Sequence, residues 1–192
     1  MKNMYIIAGC NGAGKTTAAY NILPEILQCR EFVNADEIAK GISPFQPDKV
    51  MFEAGKIMLA RIRGLIEKGD NFAVETTLSA VTYRCMIEEA QQSGYCVNLI
   101  FFWLSSIELA KERVRLRVLD GGHTVPDYVI ERRYYRGLKN LFKIFIPICD
   151  NVMLFDNSGK AHRLVMGKIK GKPNEIYDIN IYNQILAGYV RR

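Results

Sequence analysis

The chain has 192 residues, 49% hydrophobic and 24% charged, with a formal net charge of +6. That suits one soluble α/β domain with a full core, and no apolar run reaches the roughly 18 uncharged residues that would indicate a transmembrane helix. The five cysteines are scattered with no Cys-x-x-Cys pair, which argues against a disulfide framework or a zinc site and for a reducing cytoplasm; the first strand begins at once, leaving no room for a signal peptide.

The apolar run Met4–Ala8 predicts the first strand. It leads into Gly9-Cys10-Asn11-Gly12-Ala13-Gly14-Lys15-Thr16, the G-x-x-x-x-G-K-T spacing of a phosphate-binding P-loop. A helix is expected over about 16–29, bent or ended by Pro24. In that strand–loop–helix setting the segment Asn11, Gly12, Ala13, Gly14, Lys15, Thr16 and Thr17 cradles phosphates. Lys15 reaches the β- and γ-phosphates and the Thr16 hydroxyl can ligate Mg²⁺. ATP and Mg²⁺ are therefore the expected cofactors.

A short strand near 31–33 ends at Asn34-Ala35-Asp36, and Pro44 and Pro47 mark a loop. A helix of about 48–68 stops at Gly69, and Phe72-Ala73-Val74 runs into Glu75-Thr76-Thr77. Another helix, about 79–93, precedes the most apolar strand, Val97–Leu104, where Phe101-Phe102-Trp103 reads as core rather than as a stacking platform. Helices of about 106–118 and 126–146 flank Asp120-Gly121-Gly122-His123. Asn151–Asp156 is a last core strand, Asp156-Asn157-Ser158-Gly159 a turn, and Leu164–Ile169 the edge strand of an added hairpin. The tail from about 174 is expected to be helical. With no repeat and no linker, residues 1–192 read as a single domain: a three-layer P-loop kinase-like α/β sandwich with a mainly parallel sheet, a helical lid near 113–136 and a C-terminal β-hairpin.

In such sheets ligands bind beyond the carboxyl ends of the strands, which singles out the P-loop, Asp36, Glu75 and Ser105. Asp36 could accept the proton of an attacking hydroxyl, or simply cap a helix at 37–41. Glu75 has the form of a Walker B acid but could instead hold a substrate hydroxyl, with Thr76 and Thr77 beside it. The acceptor pocket is expected from loops 41–48 and 77–84. Arginines at 113, 115, 117, 132, 133 and 136 surround a glycine hinge, as in a lid that brings positive charge to a transferring phosphoryl group. Arg113 and Arg117 share one helical face, as do Arg132 and Arg136. Cys10 could be oxidisable, His123 reads as a hinge residue, and Tyr134-Tyr135 could pack the lid or touch a ligand.

Gly9–Thr16, Val33-Asn34-Ala35-Asp36, Val74-Glu75-Thr76-Thr77 and the lid segment Arg113–Arg133, in this order, resemble the zeta toxin family of P-loop kinases. The resemblance covers about residues 4–160. It implies ATP-dependent phosphorylation of a sugar hydroxyl, with UDP-N-acetylglucosamine as the acceptor of characterised toxins. It also implies Asp36 as general base, Lys15 as P-loop lysine, Glu75 and Thr77 on the substrate side, and Arg117 with Arg132 on the phosphates, Arg113 and Arg133 being the alternatives. An antitoxin protein is an implied partner. The segment Thr76–Ala80 lacks the glycine that the toxin form carries after its glutamate and resembles a compact zeta-like branch.

Three functions follow. The first is a kinase for a small-molecule hydroxyl, such as that of a nucleotide sugar. The second is a kinase for another metabolite or an RNA end, although phosphorylated small molecules fit the charge better than nucleic acid does. The third is an ATP-binding toxin or regulatory partner without turnover, which would have no use for a base.

Overall fold

A computed structural model of the chain describes residues 1–122 and 124–190. Seven strands form one sheet in the order β2-β3-β1-β4-β5-β6-β7. The strands β1 (Lys2–Gly9), β2 (Glu31–Val33), β3 (Phe72–Thr76), β4 (Tyr95–Trp103) and β5 (Asn151–Asp156) are mutually parallel. Two short antiparallel additions, β6 (Arg163–Lys168) and β7 (Glu175–Ile176), follow on the β5 side. Leu164–Ile169 was expected at the edge, but β6 lies between β5 and β7, and the two-residue β7 holds the edge. The tail helix consequently starts at 179 rather than 174.

Alternation along the strands builds two cores. Met4, Ile6 and Ala8, with Phe72, Val74, Leu99 and Phe101, face one layer of helices: α3 (Met51–Lys68), α4 (Tyr83–Gln92), the end of α6 (Asp127–Asn140) and α8 (Ile179–Val190). Ile7, Ala73, Ile100 and Phe102 face the other layer: α1 (Lys15–Ile22), α5 (Ile107–Leu119) and the start of α6. The period-2 pattern thus becomes a sheet buried on both faces, as parallel sheets require. The aromatic triplet Phe101-Phe102-Trp103 is core, 3%, 1% and 5% exposed.

Three departures from the expected elements are local. Helix α1 ends at Ile22, two residues before Pro24. Helix α4 starts at Tyr83 rather than 79, after a connection that passes through buried Leu78 in left-handed backbone, φ 54°. The long helix expected over 126–146 is α6, a π-helical turn over Leu141–Phe145, and the short α7 (Ile146–Ile148). Helix α2 (Ala35–Ile42) follows β2 directly, and the 43–50 connection closes with a 3₁₀ turn at Pro47–Val50.

The chain crosses from β3 over β1 to β4, so β1 is the point where the strand order reverses. A crevice opens there, at the carboxyl ends. Among the described residues no helix is long and apolar enough to cross a membrane.

Candidate active site

The P-loop leaves β1 at that crevice. Gly12 and Gly14 are both left-handed, at φ 78° and 79°. A Cβ on Gly12 would stand 2.6 Å from the Ala110 carbonyl of α5, and one on Gly14 would stand 2.7 Å from the Asn157 side-chain amide. Conformation and space therefore both demand glycine at these positions. Helix α1 starts at Lys15 with no side chain capping its first N–H groups. Free N–H groups at the positive end of a helix form an anion site. The residues thus fit a triphosphate.

Lys15 is 7% exposed. Its ammonium donates to the Cys10 carbonyl at 3.0 Å and lies 3.6 Å from a Glu75 oxygen. The other Glu75 oxygen accepts from the Thr16 hydroxyl at 2.7 Å and from the Asn34 amide at 3.0 Å. Because β3 pairs directly with β1, with Glu75 opposite Ile7, this carboxylate opens onto the P-loop. Of the two readings open to Glu75, a Walker B acid or a holder of a substrate hydroxyl, its contacts to Lys15 and Thr16 fit the first. A threonine hydroxyl donating to a carboxylate keeps its lone pairs for a cation, so Thr16 and Glu75 fit a Mg²⁺ that also takes phosphate oxygens and water.

Asp36 lies in the first turn of α2. It is not the helix cap: Asn34 is, its side-chain oxygen accepting from the N–H groups of Asp36 (2.8 Å) and Glu37 (3.4 Å). The Asp36 carboxylate lines the same cleft as Lys15 and Thr16 and has no hydrogen bond or ion pair among the described residues. Asn34 was not singled out in the sequence, although an Asn followed by Asp36-Glu37 is a helix-start signature.

The cleft encloses about 380 Å³. Its far wall brings in Met51, Thr77, Ser79, Ala80 and Tyr83. The 77–84 segment contributes as expected, whereas 41–48 does not: Phe45 there is 97% exposed, and the wall is supplied by Asp36 and Met51 on either side. The Thr77 and Ser79 hydroxyls are 2.9 Å apart. Burial raises the Tyr83 phenol pKa, the nearby Thr76 hydroxyl opposes the rise, and the charges of Asp36 and Glu75 add to it.

From the lid, Arg113, Arg117 and Arg133 line the cleft. Arg113 donates to the carbonyls of Asn157 (2.8 Å) and Ser158 (3.2 Å), and Arg133 donates to the Asn11 side chain (3.3 Å). Arg132, expected on the phosphates, is exposed together with Arg136 on the outer side of α6. The buried stripe of α6 is Ile130, Gly137 and Leu138; Arg133 falls three residues after the first and four before the second, and Arg132 is turned away by one residue's rotation. Gly121 is left-handed at φ 87°. His123 lies outside the described residues.

Asn157 was read only as turn. It is 7% exposed and donates to the Ala13 carbonyl at 2.8 Å, which holds that oxygen away from the phosphate cradle. Asp156 does turn chemistry, accepting from the Ser158 N–H at 2.9 Å. The Ser105 N–H donates to the Ser158 hydroxyl, and Ser105 does not line the cleft. Tyr134 packs the lid, its hydroxyl donating to the Leu104 carbonyl at 2.6 Å. Cys10 is buried, and burial pushes its thiol pKa up to about 11, an environment that protects rather than activates it.

The chain is similar to several known proteins. An uncharacterized protein of Haemophilus influenzae is 28% identical over 136 residues, 70% of this chain and 94% of that one. A chain of the AvrRxo1-ORF1:AvrRxo1-ORF2 complex, solved with sulphate ions and with ATP, superposes with a TM-score of 0.82 at 18% identity, covering 99% of this chain. This chain spans 65% of that one's length. A structure from the PezAT chromosomal toxin-antitoxin system of Streptococcus pneumoniae gives a TM-score of 0.66 at 15% identity, over 99% of this chain and 86% of that one. At these identities the two structural likenesses speak for the fold. The family is set by the sequence itself: the Zeta toxin model matches residues 1–165, from β1 through the lid to β6, and the chain belongs to the Zeta toxin family.

Proposed function

We propose that the protein is an ATP-dependent kinase that transfers the γ-phosphoryl group to a hydroxyl of a small molecule. One observation carries this reading. The cleft holds two carboxylates in different states: Glu75 is tied to Lys15, Thr16 and Asn34, and Asp36 has no hydrogen bond or ion pair among the described residues. A cradle that only bound nucleotide would need the first and not the second. Family membership and the kinase-like P-loop fold support the same conclusion.

Asp36 takes the proton of the acceptor hydroxyl as its oxygen bonds to the γ-phosphorus and the bond to the β–γ bridging oxygen breaks, leaving ADP. Lys15 and the lid arginines stabilise the negative charge on the transferring group. Thr16 and Glu75 would hold Mg²⁺, which when bound neutralises the β- and γ-oxygens. Thr77 orients the acceptor. The family resemblance implies a nucleotide sugar as acceptor, and the acceptor panel puts that implication to the test. A partner protein that restrains the enzyme, as an antitoxin would, is part of the proposal and is tested by co-purification from the native host.

The test combines labelled ATP with a panel of alcohols, sugars and nucleotide sugars. Asp36→Asn should lower turnover by about 10²–10⁴-fold, the range of general base catalysis. It should still gain thermal stability from MgATP, about 2.7 kcal/mol at a hundredfold excess over Kd. Lys15→Ala should lose both. Unchanged turnover in Asp36→Asn would remove it as the base.

A further inference from the structure

The cleft is cationic at one end only. Its cations are Lys15, Arg113, Arg117 and Arg133. Lys15 belongs to the P-loop, Arg133 is anchored to it through Asn11, Arg113 is anchored to the 157–158 carbonyls, and Arg117 stands one turn beyond Arg113 on α5. All four lie on the P-loop and lid side, where the kinase reading places the triphosphate and the phosphoryl group in flight.

The facing wall comes from the start of α2, the first residue of α3 and the chain from the end of β3 to the first residue of α4. Among the described residues it contributes no cation to the cleft. It offers the Asp36 carboxylate, the hydroxyls of Thr77, Ser79 and Tyr83, and the small Ala80. The basic residues that α2 and α4 do carry are directed elsewhere. Lys40 pairs with Glu37 and Arg84 with Glu88, each at 2.7 Å, and neither lines the cleft.

Hydroxyl groups donate and accept, and so match the hydroxyls of an alcohol. A phosphate placed on this wall would lose water, gain no ammonium or guanidinium partner, and meet the charge of Asp36. We propose that the acceptor is an uncharged polyhydroxyl compound of the sugar or alditol class, and that this wall rejects phosphorylated and nucleotide-linked acceptors. The inference rests on the kinase reading above.

The experiment measures transfer from γ-labelled ATP onto matched pairs: N-acetylglucosamine against UDP-N-acetylglucosamine, and small alditols against their phosphate esters. The uncharged members should react with kcat/KM about tenfold or more above their charged counterparts. Ala80→Lys, which supplies the missing cation, should narrow the gap by improving the charged members. Equal or faster transfer to the charged members overturns the inference and leaves the kinase reading standing, as does a gap that Ala80→Lys leaves unchanged. No transfer to any acceptor by protein that still binds MgATP overturns both.

Discussion

Asn34 does two jobs with one side chain. Its oxygen caps α2, which carries Asp36, and its amide nitrogen holds Glu75, which carries the Thr16 hydroxyl. The two jobs are separable. Asn34→Asp keeps the capping oxygen but sets a second carboxylate against Glu75, and should lower turnover roughly tenfold and stability by about 1–3 kcal/mol. Asn34→Ala brings no repulsion but loses the cap, at a cost of about 1 kcal/mol for the cap alone. Melting curves and steady-state transfer read the two effects; equal turnover in Asn34→Asp and wild type would reduce Asn34 to a cap. Such a residue was only half legible in the sequence. The helix-start pattern Asn34-Ala35-Asp36-Glu37 announces a cap, but the amide's partner is 41 residues away. Asn157, 144 residues from the P-loop carbonyl it holds, was hidden in the same way behind an ordinary turn composition. Motifs with fixed local spacing, Gly9–Thr16 above all, were readable because their geometry is closed within one segment.

Helix α6 binds the lid to the acceptor loop. Arg133 lines the cleft one turn before Gly137, and the Asn140 side chain donates to the Leu78 carbonyl at 2.7 Å. Gly137 lies so close to the loop that a Cβ would stand 2.5 Å from the Thr77 carbonyl. Leu78 is fully buried in left-handed backbone, a conformation kept only where surroundings enforce it, and the Thr76 hydroxyl accepts its N–H at 3.0 Å. Gly137→Ala should therefore push the helix from the loop, costing about 1–3 kcal/mol. It should also raise the acceptor KM several-fold with little change in ATP affinity. A variant with wild-type stability and KM would show that the contact carries no load. Arg132 and Arg133 mark the limit of sequence reading at this scale. One step along a helix turns a side chain by 100°, so a register known to within one residue does not say which arginine faces the cleft. The left-handed backbone at Leu78 was likewise hidden, because leucine gives no warning of it.

For the molecule as a whole, the alternation of strands and helices made the layered fold legible, and the two cores follow from it. Acid stability depends on a site far from the cleft. Asp150, 6% exposed, sits at the amino end of β5. Burial raises its pKa, but the Lys170 ammonium at 2.7 Å, the Val97 N–H at 2.9 Å and the Gln91 amide at 3.1 Å outweigh that and hold it below the ordinary aspartate value. A carboxyl whose folded pKa is depressed contributes stability above its unfolded pKa and loses it as pH falls through the folded one. Melting temperature should hold steady down to about pH 5 and fall below about pH 4. Asp150→Asn should melt lower at pH 7 and show a shallower acid fall; parallel curves would assign the acid response to other groups.

The two ends of the sheet have a bearing on how this protein meets others. One border strand, β2, is three residues long, and the other, β7, is two. A neighbouring polypeptide that adds itself to a sheet needs a run of open N–H and C=O groups, and neither border offers more than a few. Strand-to-strand polymerisation is thereby discouraged from both sides. A protein that restrains this one must take hold of helices, loops or the mouth of the crevice, where it also stands in the path of the molecules that enter.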